Sequence, residues 1–217
     1  MRWAERYLRL DRDTEGLRRR IDSKTNSIAR QFDRVCEVLD ELGYLDGDEV
    51  TPDGRRLARL YSELDLVAAE CLRQGVWDAL DPAELAAALS GLVFESRNPE
   101  QAPEPRLPRG SVPDVVLTMN RTWAELDLME REHRVSYLRK PDFGFAWATY
   151  QWARGRSLDA VLGEAATAGD FVRTMKQLLD LIDQVADAAG TSPVRRTARQ
   201  ASDLLRHGVI AYSSLSQ

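Results

Sequence analysis

GDFVRTMKQLLDLIDQVADAA, residues 169–189, is the stretch that decides the fold class. Phe171, Val172, Met175, Leu178, Leu179, Ile182, Val185 and Ala186 recur at spacings of three and four, so they share one broad side of a helix about six turns long. Thr167 or Asp170 can cap its start, and Gly190 followed by Ser192-Pro193 ends it and begins another helix. A stripe this wide has to be covered by other elements. The neighbouring sequence supplies more helices, at about 143–154, 157–165 and 193–213, with Gly155 and Ser157 at the first junction.

Working upstream, the helical pattern persists. Ile28, Phe32, Val35, Val38, Leu39 and Leu42 form a stripe that stops at Gly43. Asp46-Gly47 between Tyr44-Leu45 and Glu49-Val50 suits a tight hairpin, and a helix restarts after Pro52, so the arrangement resembles a small wing. Helical spacing runs from Leu57 through Leu60, Leu64, Val67, Ala68 and Cys71 to a break at Gly75. Asp81 as N-cap and Pro82 as first helical residue open ELAAALSGLVFE. Residues 96–114, SRNPEQAPEPRLPRGSVPD, hold five of the nine prolines and read as a long mobile loop and internal boundary. A long helix follows from Asp114 to about Arg139, with Val115, Val116, Met119, Trp123, Leu126 and Met129 on one side, until Lys140-Pro141 ends it. The architecture expected is an all-α multi-helix bundle, with at most one small winged-helix-like hairpin near residues 44–51.

Composition agrees. At 217 residues, with 43% hydrophobic and 30% charged residues, the chain is long enough for one core or a core plus a small satellite, one to two domains in all. No apolar run approaches the roughly 18 residues that cross a bilayer, so the expectation is a cytoplasmic chain without membrane contact. Cys36 and Cys71 lie at helical apolar positions, where a reduced thiol acts as a small hydrophobe. The net charge of −5 is unevenly spread: residues 1–34 carry ten basic against six acidic groups, residues 35–100 five against fifteen. The acidic part should face solvent or protein partners, and a nucleic-acid surface farther on has to be a local stripe.

Several chemistries are missing. No Gly-x-x-x-x-Gly-Lys-Ser/Thr loop is present to cradle phosphates, so no nucleotide site is expected in this chain. His133 and His207 lack sequence neighbours at metal-ligand spacing, and pairs such as Asp180 and Asp183 sit on a solvated flank. The expectation is therefore no catalytic residue, no metal and no cofactor here. What the 169–189 helix does offer is a second, polar stripe of Arg173, Gln177, Asp180 and Gln184. Arg binds phosphate and stacks on bases, Gln reads base edges, and Asp accepts a base amino proton, so the stripe fits single-stranded nucleic acid as well as plain solvent. Trp147, Tyr150 and Trp152 fit base stacking or the core, with core favoured for at least two. Arg195, Arg196 and Arg199 fit phosphate contact or an ordinary basic face. The 157–180 helix pair also has the form of a DNA-reading helix-turn-helix.

The run TPDGRRLARLYSELDLVAAECLRQGVWDALDPAELAAALSGLVFESR, the later FAWATYQWARGRSLDAVLGEAATAGDFVRTMKQLLDLIDQVADAAG and the ending HGVIAYSSL together resemble the DSHCT domain. That domain closes superkiller-type DExH-box RNA helicases, and the pattern is most similar to the bacterial HelY group. Glu63, Asp65, Leu66, Leu80-Asp81-Pro82, Ser90, Glu95, Trp152-Ala153, Gly155, Gly169, Arg173 and Ser213-Ser214-Leu215 carry the resemblance. It implies that residues 26–217 form a helical bundle packed on a helicase core, with 1–25 as the charged helical end of an inserted arm. It further implies that 169–189 is the ratchet helix bordering an RNA channel, with the family's base-contacting Arg and Glu falling at Gln177 and Asp180. Gln in place of Arg removes a charge and a stacking plane, while Arg173 keeps the family residue one turn earlier. ATP and Mg then belong to a core that this chain lacks. The implied partners are single-stranded RNA, or DNA, the core of the same polypeptide and RNA-degradation proteins. A DNA-binding regulator and a helical protein-interaction scaffold stand as alternatives.

Overall fold

A computed structural model describes residues 27–98, 102–162 and 167–213. The expected arm segment 1–25, part of the Pro-rich loop, and Ser214-Leu215 lie outside the described residues. The first helix, α1, spans residues 27–41 and is followed by a two-stranded antiparallel hairpin, β1 Leu45–Asp46 with β2 Glu49–Val50, in which Leu45 faces Val50. Then come α2 (Pro52–Leu57), α3 (Asp65–Arg73), α4 (Pro82–Val93), α5 (Val112–Glu132), a 3-10 turn at Phe143–Phe145, α6 (Ala146–Ala153), α7 (Leu158–Leu162), α8 (Ala168–Ala188), α9 (Val194–Leu205) and α10 (Gly208–Ser213). The class is all-α with one small hairpin, as the periodicity indicates.

The axis of the bundle is α4. Asp81 accepts from the Glu84 N–H at 2.8 Å while the Glu84 carboxylate accepts from the Asp81 N–H at 3.0 Å, a reciprocal capping box that fixes the helix start. Beyond it, Ala83, Ala86, Ala87, Ala88, Ser90 and Gly91 are buried together with Leu85, Leu89 and Leu92, so the helix is enclosed on all sides. Small side chains let α5, α6, α8 and α9 approach closely. At Gly91 the approach is extreme: a Cβ there would stand 2.4 Å from two carbons of the Phe143 ring. The Ser90 hydroxyl is satisfied within the helix, donating to the Ala87 carbonyl at 2.7 Å.

Around this axis α8 packs its apolar side on α4 and α9, after which Gly190 (φ 57°) turns the chain into α9. At the other end, the hairpin is held by buried Tyr44. Its hydroxyl donates to Glu70 Oε1 at 2.7 Å, and Arg73 pairs with the same oxygen at 2.6 Å while lying over the ring. Burial and the Glu70 acceptor push the phenol pKa up, so the bond keeps its proton. Gly54 sits where a Cβ would strike the Tyr44 carbonyl oxygen, which draws α2 against the hairpin.

Three boundaries differ from the sequence expectation. The helix read as 114–139 ends at Glu132, because Arg134 adopts a left-handed conformation (φ 57°) and the Val135 N–H closes onto the Glu130 carbonyl at 2.7 Å. Residues 135–142 instead form a strap across the end of α4. The buried Glu130 carboxylate accepts from the N–H groups of Tyr137 and Leu138, Arg139 donates to the Leu92 carbonyl, and the Asp142 N–H donates to the Gly91 carbonyl. The helix read as 193–213 breaks at Arg206-His207, where Gly208 takes φ 50° and the chain turns into α10. The pattern from Leu57 to Cys71 is divided between α2 and α3.

The apolar stripe of α1 is only partly used. Val38 is buried, whereas Ile28 and Phe32 are 67% and 68% exposed. His133, just past the end of α5, ties that helix to α1: its Nδ1 lies 3.2 Å from Glu37 and its Nε2 lies 2.8 Å from Glu41. Ionised carboxylates only accept, so both contacts are hydrogen bonds only when the ring carries two protons. The carboxylates face opposite ring nitrogens, which makes the trio a clasp and not a chelate.

Two outcomes follow from this packing. Gly91→Ala adds helix propensity worth about 1 kcal/mol, but the new methyl must displace a buried ring, and overpacking costs about 1–3 kcal/mol. Burial on every side decides the sign, so thermal denaturation should show the variant melting lower by a few degrees; an unchanged or raised Tm would mean that Phe143 yields freely. For the clasp, hydrogen bonds from His133 to Glu41 and then Glu37 raise the imidazole pKa above its usual value. A folded pKa above the unfolded one gives stability that is complete below about 6.5 and is lost as pH rises through the folded value. The melting-temperature advantage of the native chain over a Glu37→Gln, Glu41→Gln double variant should therefore be larger near pH 6 than at about pH 8.5.

Candidate nucleic-acid interface

The start of α8 is set by Thr167, whose hydroxyl oxygen accepts from the Asp170 N–H at 3.1 Å and whose O–H donates to an Asp170 carboxylate oxygen at 2.9 Å. Its orientation is set from below by aromatic rings. Phe94, Phe145, Phe171 and Trp152 follow one another at centroid distances of 5.4, 5.6 and 5.2 Å, and the His207 ring stacks on Trp152 at 4.0 Å. The Trp152 indole N–H donates to the Leu205 carbonyl and the His207 Nε2 donates to the Trp152 carbonyl, so the polar edges of this spine are satisfied. With Phe171, Met175, Leu178 and Ile182 buried beneath, the remaining face of α8 is forced outward.

That face forms one wall of a groove of about 930 Å³. The other walls are residues 61–63, the end of α4 with residues 94–98, and Ala102-Pro103 of the Pro-rich segment. Arg173, Gln177 and Asp180 line it, are all exposed, and are therefore brought together as their spacing suggests. Among the described residues, Gln177 and Asp180 have no side-chain hydrogen-bond or ion-pair partner. Gln184 lines the same groove but is committed to the fold, its carbonyl accepting from the Tyr61 N–H at 2.7 Å. Asp183 lies outside it and pairs with Arg206 at 2.8 Å.

The groove contains residues that reading the sequence did not single out. Arg97 pairs with Asp170 at 2.8 Å, and Arg173 reaches the other oxygen of the same carboxylate at 3.4 Å. The Thr167 hydroxyl, then Arg97 and Arg173, hold the Asp170 pKa below the usual carboxylate range, so the group stays anionic and anchors both arginines. Arg139 also lines the groove, tied to Glu63 at 3.0 Å and to the Leu92 carbonyl. The i,i+3 spacing of Asp170 and Arg173 was visible in the sequence; Arg97 and Arg139 come from 73 and 76 residues away from their acidic partners, and no local pattern announces them.

Arg195, Arg196 and Arg199 are exposed on α9, but none lines the groove. Of the three aromatics on α6, Trp152 is core, Tyr150 packs half-buried against it, and Trp147 is half-buried outside the core cluster. Burial pushes the Cys71 thiol up to about 12, so it remains a neutral apolar filler. A helix-turn-helix would have to present the first turns of α8 to a major groove about 12 Å wide; those turns are instead walled by residues 94–98, with Arg97 in direct contact.

The DSHCT (NUC185) domain model matches residues 47–213. The chain is 42% identical over 226 residues to "Probable helicase HelY" of Mycobacterium tuberculosis (strain ATCC 25618 / H37Rv), covering 97% of this chain and 25% of that protein. It is 25% identical over 225 residues to "Superkiller complex protein 2" of Homo sapiens, covering 99% of this chain and 18% of the relative. With "DExH-box ATP-dependent RNA helicase DExH11" of Arabidopsis thaliana it shares 24% over 194 residues, 85% of this chain and 14% of that one. The chain thus spans a quarter or less of the length of these relatives, and it belongs to the DSHCT family, found in helicases.

Proposed function

We propose that this chain is the C-terminal accessory unit of an ATP-dependent RNA helicase, and that the groove face of α8 guides a single strand past Arg173, Gln177 and Asp180. The observation that carries the reading is the exposure of these three side chains, side by side, on the wall of the groove. Their chemistry is complementary to an unpaired strand. Arg173, held by Asp170 only at 3.4 Å, has donors left for a phosphate or a plane to lay on a base. Gln177 donates and accepts at a base edge, and Asp180 accepts from an exocyclic amino group. Base edges are open to such contacts in single strands, not within an A-form duplex.

In this reading ATP and Mg are bound by a helicase core outside these residues, which packs on the bundle, and RNA-degradation proteins receive the emerging strand. Two of the three relatives are named as helicases, one of them as an RNA helicase, and this supports the assignment. Arg195, Arg196 and Arg199 meet phosphates only if the strand continues from the groove onto α9. A pure scaffold has no use for a weakly paired arginine beside a glutamine and an aspartate that, among the described residues, have no side-chain partner in a walled groove.

In the full-length helicase, Arg173→Ala should lower strand unwinding about tenfold, the scale of one charge-assisted contact, and leave ATP turnover without RNA unchanged. Because Arg173 is exposed and weakly paired, the melting temperature of the 217-residue chain should move by no more than a degree or two. A drop of several degrees would make the residue structural, and unaltered unwinding would remove it from the strand path. Calorimetric titration of the 217-residue chain with Mg-ATP should show no stoichiometric micromolar binding, since no phosphate-cradling loop is present.

A further inference from the structure

Away from the α8 face, one surface combines aromatic rings with free positive charge. Arg106 of the Pro-rich segment lies with its guanidinium 3.8 Å from the centroid of the Trp147 ring. Trp147 stacks on Tyr150 at 5.9 Å and 27°, and Arg154 lies over the Tyr150 ring at 5.4 Å. The result is a contact series of four, Arg106, Trp147, Tyr150 and Arg154, a ladder that begins and ends in a guanidinium. Both terminal arginines are exposed and both rings are half-buried. The charge is local and one-sided: residues 102–111 and 146–157 carry Arg106, Arg109, Arg154 and Arg156 against Glu104 alone, in a chain whose net charge is −5.

We propose that this ladder is a second single-strand contact, a stacking surface for the bases that leave the α8 groove; it rests on the reading of that groove as a strand path. The geometry is suited to the task. A guanidinium already laid on an aromatic ring has lost much of its rotamer freedom, so a base stacking on its outer plane does so at reduced entropic cost. The same groups stay charged for the flanking phosphates. Position agrees as well. Pro103 lines the α8 groove and Arg106 begins the ladder, and three residues of chain span at most about 11 Å, so a strand of ordinary site size reaches both. A simple staple of the Pro-rich segment onto α6 needs only the Arg106–Trp147 pair. It does not account for Arg154 over the Tyr150 ring or for the excess of arginine across the two segments.

The test uses the 217-residue chain and fluorescein-labelled oligouridine of about 6 and about 16 nucleotides at low salt, with affinity read by anisotropy. The native chain should bind the longer strand more tightly, and Arg154→Gln and Tyr150→Leu should weaken that strand by about five- to tenfold while changing the shorter one little. Arg154 is exposed, so its variant keeps the result readable if Tyr150→Leu perturbs folding. Strands carrying 4-thiouridine should crosslink, by peptide mass spectrometry, to the segment containing Trp147 and Tyr150. Variants that hold the long strand like the native chain, or crosslinks confined to α8, overturn the ladder and leave the groove reading intact. Loss in the ladder variants with no effect of Arg173→Ala supports the ladder and overturns the groove. Binding to neither strand overturns both and turns the surface over to a protein partner.

Discussion

The close approach of the Gly91 backbone to the Phe143 ring sets the geometry of everything built around α4. With only a hydrogen on Gly91, the 3-10 turn that carries Phe143 and Phe145 lies directly on the helix, and the Asp142 N–H reaches the Gly91 carbonyl at 2.9 Å. That contact fixes where the strap of residues 135–142 ends and where α6 begins. Phe145 then falls between Phe94 and Phe171, so the orientation of α8, and with it the direction of its polar face, is transmitted through rings from one glycine. Alanines along the rest of α4 extend the same principle: a central helix stripped of bulk is surrounded at short range, and large side chains from its neighbours supply the buried apolar area.

The α8 face is a product of two demands on one helix. Ten of its residues are buried, which sets the helix's rotation about its own axis, and the polar residues occupy whatever arc remains. A solvated arc would need no wall. Here residues 61–63 and 94–98 rise on either side, held by bonds that have their own structural reason: the Tyr61 N–H on Gln184, Ser96 on the Asp142 carboxylate through both its N–H and its hydroxyl, and Arg97 on Asp170. Depth is therefore imposed by the fold around α8 and not by α8 itself.

This separates what was legible in the sequence from what was not. The capping box at Asp81 and Glu84, the Thr167 cap and the stripe of α8 are local patterns, and a residue's neighbours three and four positions away carry all the information needed. The grouping of Arg173, Gln177 and Asp180 was legible for the same reason. The end of α5 was not, because the chain leaves the helix at Arg134, a non-glycine residue in a left-handed conformation that no turn signal marks. The His133 clasp with Glu37 and Glu41 joins positions 96 and 92 residues apart. The ladder draws one of its four members from a proline-rich stretch that has no periodicity at all.

In the proposed reading, electrostatics explain how an acidic chain could present a strand-binding face. The arginines of the groove are matched to carboxylates: Arg97 to Asp170, Arg139 to Glu63, with Arg173 held by the second oxygen of Asp170 at the longest distance of the three. A site arranged this way has little long-range field to draw a polyanion in, since Arg97, Arg139 and Arg173 are balanced by Asp170, Glu63 and Asp180 beyond a Debye length of about 8 Å. In that reading it would act at contact range, where a phosphate would compete with Asp170 for Arg173 and a base edge would meet Gln177 and Asp180. Such a surface would hold a strand that something else delivers, and would let it go as readily when the strand moves. Low field and weak internal pairing suit a strand that has to slide, whereas a face of unpaired lysines and arginines would hold it in place.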